Sequence, residues 1–209
     1  MSTLTQMTRS GLVLAAFAAI AATLLASTYA LTADRIRAAE QQRLLRQLEA
    51  VLPAGAYDND VASDIIRRPI AELRADAPVT IYRARRGGTP VAAVLTVTAP
   101  DGYGGPIELL VGIGADGRLT GVRVTAHQET PGLGDKIEID RSDWIRAFTG
   151  RSLTDPPPPR WAVRKDGGVF DQFTGATITP RAVIKAVRQA LEYFEHHRAD
   201  IFATADAMP

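Results

Sequence analysis

Three short stretches of this chain hold residue types whose spacing suits chemistry. Residues 170–180 read FDQFTGATITP: an acid, Asp171, precedes three hydroxyls, Thr174, Thr177 and Thr179, set around Gly175 and Ala176. Thr179 followed by Pro180 reads as a helix start, with an N-cap hydroxyl and proline at the first helical position. Thr177 then presents its hydroxyl near the free N–H groups and positive dipole end of that helix, where a phosphate is favoured. Gly175 and Ala176 leave the approach uncrowded. Asp171 has the wrong charge for a phosphate and suits a cation, or the orienting of a hydroxyl. On spacing alone, a plain capping loop accounts for the same residues.

The second stretch is HQETPGLGD, residues 127–135. Turn chemistry explains Pro131, Gly132 and Gly134. It leaves Glu129 and Thr130 unexplained beside one apolar residue, Leu133, so ligand contact and a simple turn both remain open. His127 reads as a strand-end residue rather than a catalytic base. The third stretch is GYGG, residues 102–105. Its glycines permit close backbone approach to a ligand and Tyr103 offers an aromatic face. An ordinary inter-strand loop is the alternative.

The elements that must position these stretches form an α+β pattern. VTIYRARR and PVAAVLTVTA are β-rich runs separated by the turn signal GGTP, and residues 105–128 read as two strands joined by Ala-Asp-Gly. An antiparallel sheet of three or four strands is therefore expected over residues 78–127. WAVRK offers one more strand, RSDWIRAFTG a short helix closed by Gly150, and TDPPPPR an extended connector. The last helix is expected over residues 180–197, with Val183, Ile184, Val187, Leu191 and Phe194 as its buried stripe. Residues 62–73, ASDIIRRPIAEL, carry a modest helical signal that Pro69 interrupts.

No charge falls between Arg9 and Asp34, and residues 11–31 form an apolar run long enough to cross a bilayer, which takes about 20 residues of helix. The run reads as a retained anchor, with a cleaved signal peptide as the alternative. Leu44, Leu45, Leu48, Val51 and Leu52 extend the helix at one-face spacing up to Pro53; it reads as a helix docked on the core, a stalk or a coiled contact. The expected organisation is an anchor over 1–32, a juxtamembrane helix and connector over 33–77, and a binding domain over 78–209. Arg35, Arg37, Arg43 and Arg46 follow the anchor while Arg9 precedes it, so the positive-inside rule alone puts the C-terminal part in the cytoplasm. The 24 Lys and Arg against 23 Asp and Glu give no nucleic-acid footprint. The chain has no cysteine, which excludes disulfides, thiolate chemistry and cysteine-ligated clusters, and its three histidines argue against a dedicated transition-metal site.

The stretch DQFTGATIT resembles the flavinylation motif of FMN-binding domains, Asp-x-x-Ser/Thr-Gly-Ala-Thr, and HQETPGLG and GYGGPI resemble further motifs of that family. Their order behind one membrane helix is similar to the G subunits of Rnf electron-transport complexes, and to the related C subunits of sodium-pumping NADH:quinone reductases. The resemblance implies covalent FMN, joined to Thr177 through a phosphoester by a flavin transferase; Asp171 and Thr174 belong to the signature that the transferase reads, or help to bind the phosphate or a metal during attachment. It implies a flavin lined by Glu129, Thr130, Leu133 and Gly134, with Tyr103 to Gly105 nearby; Lys165 is a further candidate by proximity in sequence. It also implies an electron carrier on the periplasmic side of the inner membrane, working with other membrane subunits of a complex that couples ferredoxin and NAD exchange to ion movement. The chain has no Rossmann glycine fingerprint for NAD, so a relay is expected. An exported FMN-binding redox sensor is the alternative, and a non-redox domain holding a free anion is a third reading.

Overall fold

The computed structural model describes residues 3–73 and 77–203. It divides between residues 44 and 45 into two compact units. The first is most of α1, an uninterrupted helix over Thr3–Glu49. Alanine and leucine dominate it and no proline breaks it, which favours helix throughout. Its charge-free part, residues 10–33, spans about 36 Å at 1.5 Å per residue, enough for the ~30 Å hydrocarbon core. Thr23, Thr28 and Thr32 donate their hydroxyls to the carbonyls of Ala19, Leu24 and Thr28, each at 2.8 Å. These bonds satisfy three of the span's hydroxyls within the helix itself. Among the described residues it is the one helix long and apolar enough to cross a membrane.

The second unit is a five-stranded antiparallel sheet with helices packed on it. The strands are β1 (Ile65–Arg68), β2 (Val79–Arg86), β3 (Thr89–Ala99), β4 (Ile107–Gly114) and β5 (Leu119–Ala126), in that spatial order. Gly87 and Gly88 both have positive φ, 54° and 80°, the geometry a tight β2–β3 hairpin requires. Strand β1 is the fifth strand, and it replaces the helical signal expected over residues 62–73. Ile65 and Ile66 are β-branched and pair with Tyr82 and Ile81. Asp64 pins the edge by accepting from Arg83 Nε at 2.6 Å and Arg85 Nε at 3.0 Å. After Pro69 only a 3₁₀ turn, Ala71–Leu73, remains of the helix.

Helix α2 (Ile178–Phe202) lies on one face of the sheet. Val183, Ile184, Val187, Leu191 and Phe194 are buried against Ile81, Leu95, Val97, Leu109 and Val111, so the predicted stripe is the one that packs. The end of α1 and the turn after it cover the other face. Leu48, Val51 and Leu52 are buried, and Thr120 Oγ1 hydrogen-bonds the Val51 carbonyl. WAVRK is not a strand: Val163 makes one bridge to Phe170, and a 3₁₀ turn begins at Arg164. Its hydrophobic residues serve an aromatic cluster instead. Phe148 stacks on Phe170 at 4.5 Å, and Trp161 lies 5.3 Å from Phe170.

At Gly112 the covering chain passes against the sheet backbone. A Cβ there would lie 2.4 Å from the Val51 carbonyl oxygen and 2.5 Å from Thr120 Oγ1. Gly112→Ala is therefore expected to destabilise the domain by about 1–3 kcal/mol, measured as a lowered thermal midpoint of the detergent-solubilised chain. An unchanged midpoint would mean that the covering segment does not lie against the sheet at this position.

Candidate functional site

Strand β4 starts where β5 ends, with Glu108 paired to Ala126, so the loops 100–106 and 127–134 leave the same end of the sheet. They meet backbone to backbone. A Cβ on Gly104 would fall 1.9 Å from the carbonyl oxygen of Gln128. The glycines of GYGG thus admit a neighbouring chain segment, where the sequence suggested close approach to a ligand. In the second loop the Leu133 and Gly134 N–H groups both donate to the Thr130 carbonyl, at 3.1 and 3.0 Å, closing a turn. Gly132 sits in that turn with φ 79°.

The third wall is the start of α2, and here the structure corrects the expected helix start. Thr179 is not the N-cap: the helix begins at Ile178, Thr177 occupies the N-cap position, and its hydroxyl makes no capping bond. Thr179 is fully buried and its hydroxyl donates to Glu129 Oε2. Pro180 is tolerated in the first turn because N–H groups there lack intrahelical partners. The loop before it is held from beneath. Phe173 is buried with its ring 5.2 Å from Trp144, and Trp144 Nε1–H donates to the Asp171 carbonyl at 2.7 Å. Gly175, φ 84°, turns the chain so that Thr177 is reached.

These walls enclose a cavity of about 320 Å³, within the range of small-molecule sites. Tyr103, Glu129, Thr130, Leu133, Gly134, Gly175, Ala176 and Thr177 line it, together with Ile178 and Thr179. Asp171, Thr174 and Lys165 are not in its lining. Asp171 is exposed and pairs with Arg164 at 3.0 Å, Thr174 is exposed on the loop, and Lys165 N–H donates to Gln172 Oε1 at 3.3 Å. Sequence reasoning passed over Thr179 because a threonine before proline has a sufficient local explanation. It also passed over Arg181, which reaches the Thr177 carbonyl at 3.5 Å and pairs with Asp166. The hydrogen bond from Arg181 holds the Asp166 carboxyl below its ordinary range and raises the guanidinium.

Glu129 is 5% exposed and joins all three walls. Its Oε1 accepts from the Gly104 N–H at 2.9 Å, and its Oε2 from Thr179. Its own N–H donates to His127 Nδ1 at 3.0 Å, and His127 Nε2 lies 2.5 Å from Glu138 Oε1. Because Nδ1 accepts, the ring proton is on Nε2 and points at Glu138. His127 thereby fixes the backbone from which Glu129 projects. Beside this polar floor, the rim is apolar: Tyr103, Leu133 and Ile178 are 70%, 41% and 47% exposed. Every exposed large hydrophobic described beyond α1 lies on this rim.

Comparison with known proteins matches this geography. A family model described as FMN-binding domain covers residues 102–192, which contain all the lining residues. A second, described as RnfG N-terminal region, covers residues 1–51. The G subunit of the ion-translocating oxidoreductase complex of Pseudoalteromonas atlantica is 48% identical over 95% of this chain and 93% of its own. The chain belongs to this family of G subunits. Those of Pseudomonas aeruginosa and Cereibacter sphaeroides are 48% and 50% identical, over 96% and 93% of this chain and 94% and 87% of theirs. The similarity to these family members spans anchor and domain alike.

The geometry makes Thr179 part of the site. Thr179→Val keeps the shape and leaves Glu129 Oε2 without its donor, which is expected to cost about 1–3 kcal/mol. Thermal unfolding monitored by circular dichroism would measure it, and a melting point equal to wild type would show that this hydrogen bond contributes nothing to stability.

Proposed function

We propose that this chain is a membrane-anchored flavoprotein electron carrier of an Rnf-type ion-translocating complex, with FMN joined covalently to Thr177. The observation that carries the reading is the Thr177 hydroxyl, which lines the cavity and has no capping role. The neighbouring threonines are unsuited to hold the group. Thr179 is buried and committed to Glu129, and Thr174 lies outside the lining. Esterification removes the threonine proton and formally a hydroxyl from the flavin phosphate, so the adduct adds FMN minus water. The diester keeps one negative charge, which the start of α2 and the adjacent Arg181 would steady.

FMN supplies the redox chemistry, and the protein's part is attachment, orientation and electrostatics. Tyr103, Leu133 and Ile178 offer apolar surface to a planar ring system, while Glu129 and Thr130 offer it polar atoms. The open rim suits electron hand-off to neighbouring subunits of the membrane complex. A covalent tether suits an exported domain with no cytoplasmic FMN pool to replace losses. We assign the domain to the periplasmic side of the inner membrane, and attachment to a flavin transferase that reads the exposed Asp171 and Thr174. Ion translocation belongs to the assembled complex, to which this chain contributes a relay.

Co-expression with a flavin transferase, followed by intact mass, is expected to show FMN minus water on the wild type and on Thr177→Ser, and none on Thr177→Val. An adduct on Thr174 or Thr179 would overturn the assignment. Protease added to spheroplasts is expected to digest the domain; protection until the membrane is breached would place it in the cytoplasm.

A further inference from the structure

The buried carboxylate of Glu129 has a feature that holding the fold together does not require. Two donors converge on it, the Gly104 N–H and the Thr179 O–H. A glutamine would serve the same scaffold. Its amide oxygen would accept from Gly104, and its NH₂ would donate to the Thr179 oxygen, because a hydroxyl can reverse its role. The position instead holds an acid that is 5% exposed, and burying a charge is costly unless it is paired. Among the described residues no cation lies within ion-pair distance of Glu129, and both of its hydrogen-bond donors are neutral. The other buried acid at this end, Asp135, has Arg141 at 3.6 Å. So one carboxylate beside the cavity is left without a counter-charge, and it forms part of the cavity wall.

We propose that Glu129 holds down the reduction potential of the flavin bound in this cavity. The inference rests on the flavin reading above. A fixed negative charge in a partly desolvated wall opposes the arrival of electrons on a neighbouring ring, and the opposition is larger here than in water. Thr179 and Gly104 orient the carboxylate, and the His127 contact fixes the backbone that carries it. No electron or proton passes through Glu129: it shifts the equilibrium and remains unchanged. The flavin's electrons come from, and go to, redox partners of the complex.

The test is a spectroelectrochemical titration of the full-length, flavin-loaded chain in detergent, as wild type, Glu129→Gln and Glu129→Asp. Glu129→Gln is expected to make reduction at least tenfold more favourable, which is about 30 mV upward for a two-electron couple. Glu129→Asp keeps the charge and is expected to stay nearer to wild type than Gln does. If the Gln chain does not load, Glu129→Ala removes the same charge and carries the same expected rise. Thermal melting of the flavin-free variants separates a structural effect from an electrostatic one. A lowered melting point with no rise in potential assigns Glu129 to scaffolding alone and overturns the proposal. Intact mass keeps the two readings apart: a wild-type chain without FMN defeats the flavin reading and this one with it. A loaded chain whose potential is the same with Gln as with Glu defeats only this one.

Discussion

One buried carboxylate holds the site together. Glu129 accepts from a loop that precedes β4 and from a hydroxyl on α2, and its own segment follows β5. Three parts of the chain up to 75 residues apart in sequence, from Gly104 to Thr179, meet at its two oxygens. Without that convergence the glycine-rich loop, the Pro-Gly turn and the helix start would each still fold locally, but they would lose the one side chain that joins all three. Gly134 has to be a glycine in this arrangement, because a Cβ would lie 2.8 Å from Glu129 Oε2 and 3.0 Å from Thr179 Oγ1.

The scaffold behind the site works by close approach. Gly104 lets two loops touch through their backbones, and Gly112 and Gly121 let the segment after α1 lie flat on the sheet. On the opposite face, α2 contributes branched and aromatic side chains to one continuous core. The same helix therefore buries its stripe in the core and presents its N-terminal turn to the cavity, so the position of Thr177 inherits the rigidity of the packed helix. The aromatic group of Trp144, Phe148, Phe170 and Phe173 does for the preceding loop what the core does for the helix.

A carrier held at a membrane has to keep its cofactor and still expose it. In the proposed form, attachment through a phosphate at one end of the flavin would leave the ring free to lie against the apolar rim, where partners can approach. The polar floor and apolar rim of the cavity suit these two ends of one ligand. The apolar part of α1 is long enough to hold the chain in a membrane.

The sequence by itself determined a good deal. The membrane span, four of the strands, the hairpin turns, the buried stripe of α2 and the grouping of most lining residues were legible because each depends on periodicity, turn chemistry or a contiguous motif. Where local pattern and tertiary demand competed, local pattern misled. Residues 65–68 carried a helical signal, but the open edge of β2 and the Asp64 ion pairs made them a strand. WAVRK had the composition of a strand, but its aromatic partners drew it into a cluster. Thr179 looked like a cap because Thr-Pro is a good helix start, and only the fold brought an acid from position 129 to take its hydroxyl. Which threonine is left free was thus decided by tertiary structure. Spacing along the chain states which groups are available, and the contacts between distant segments decide which of them are already committed.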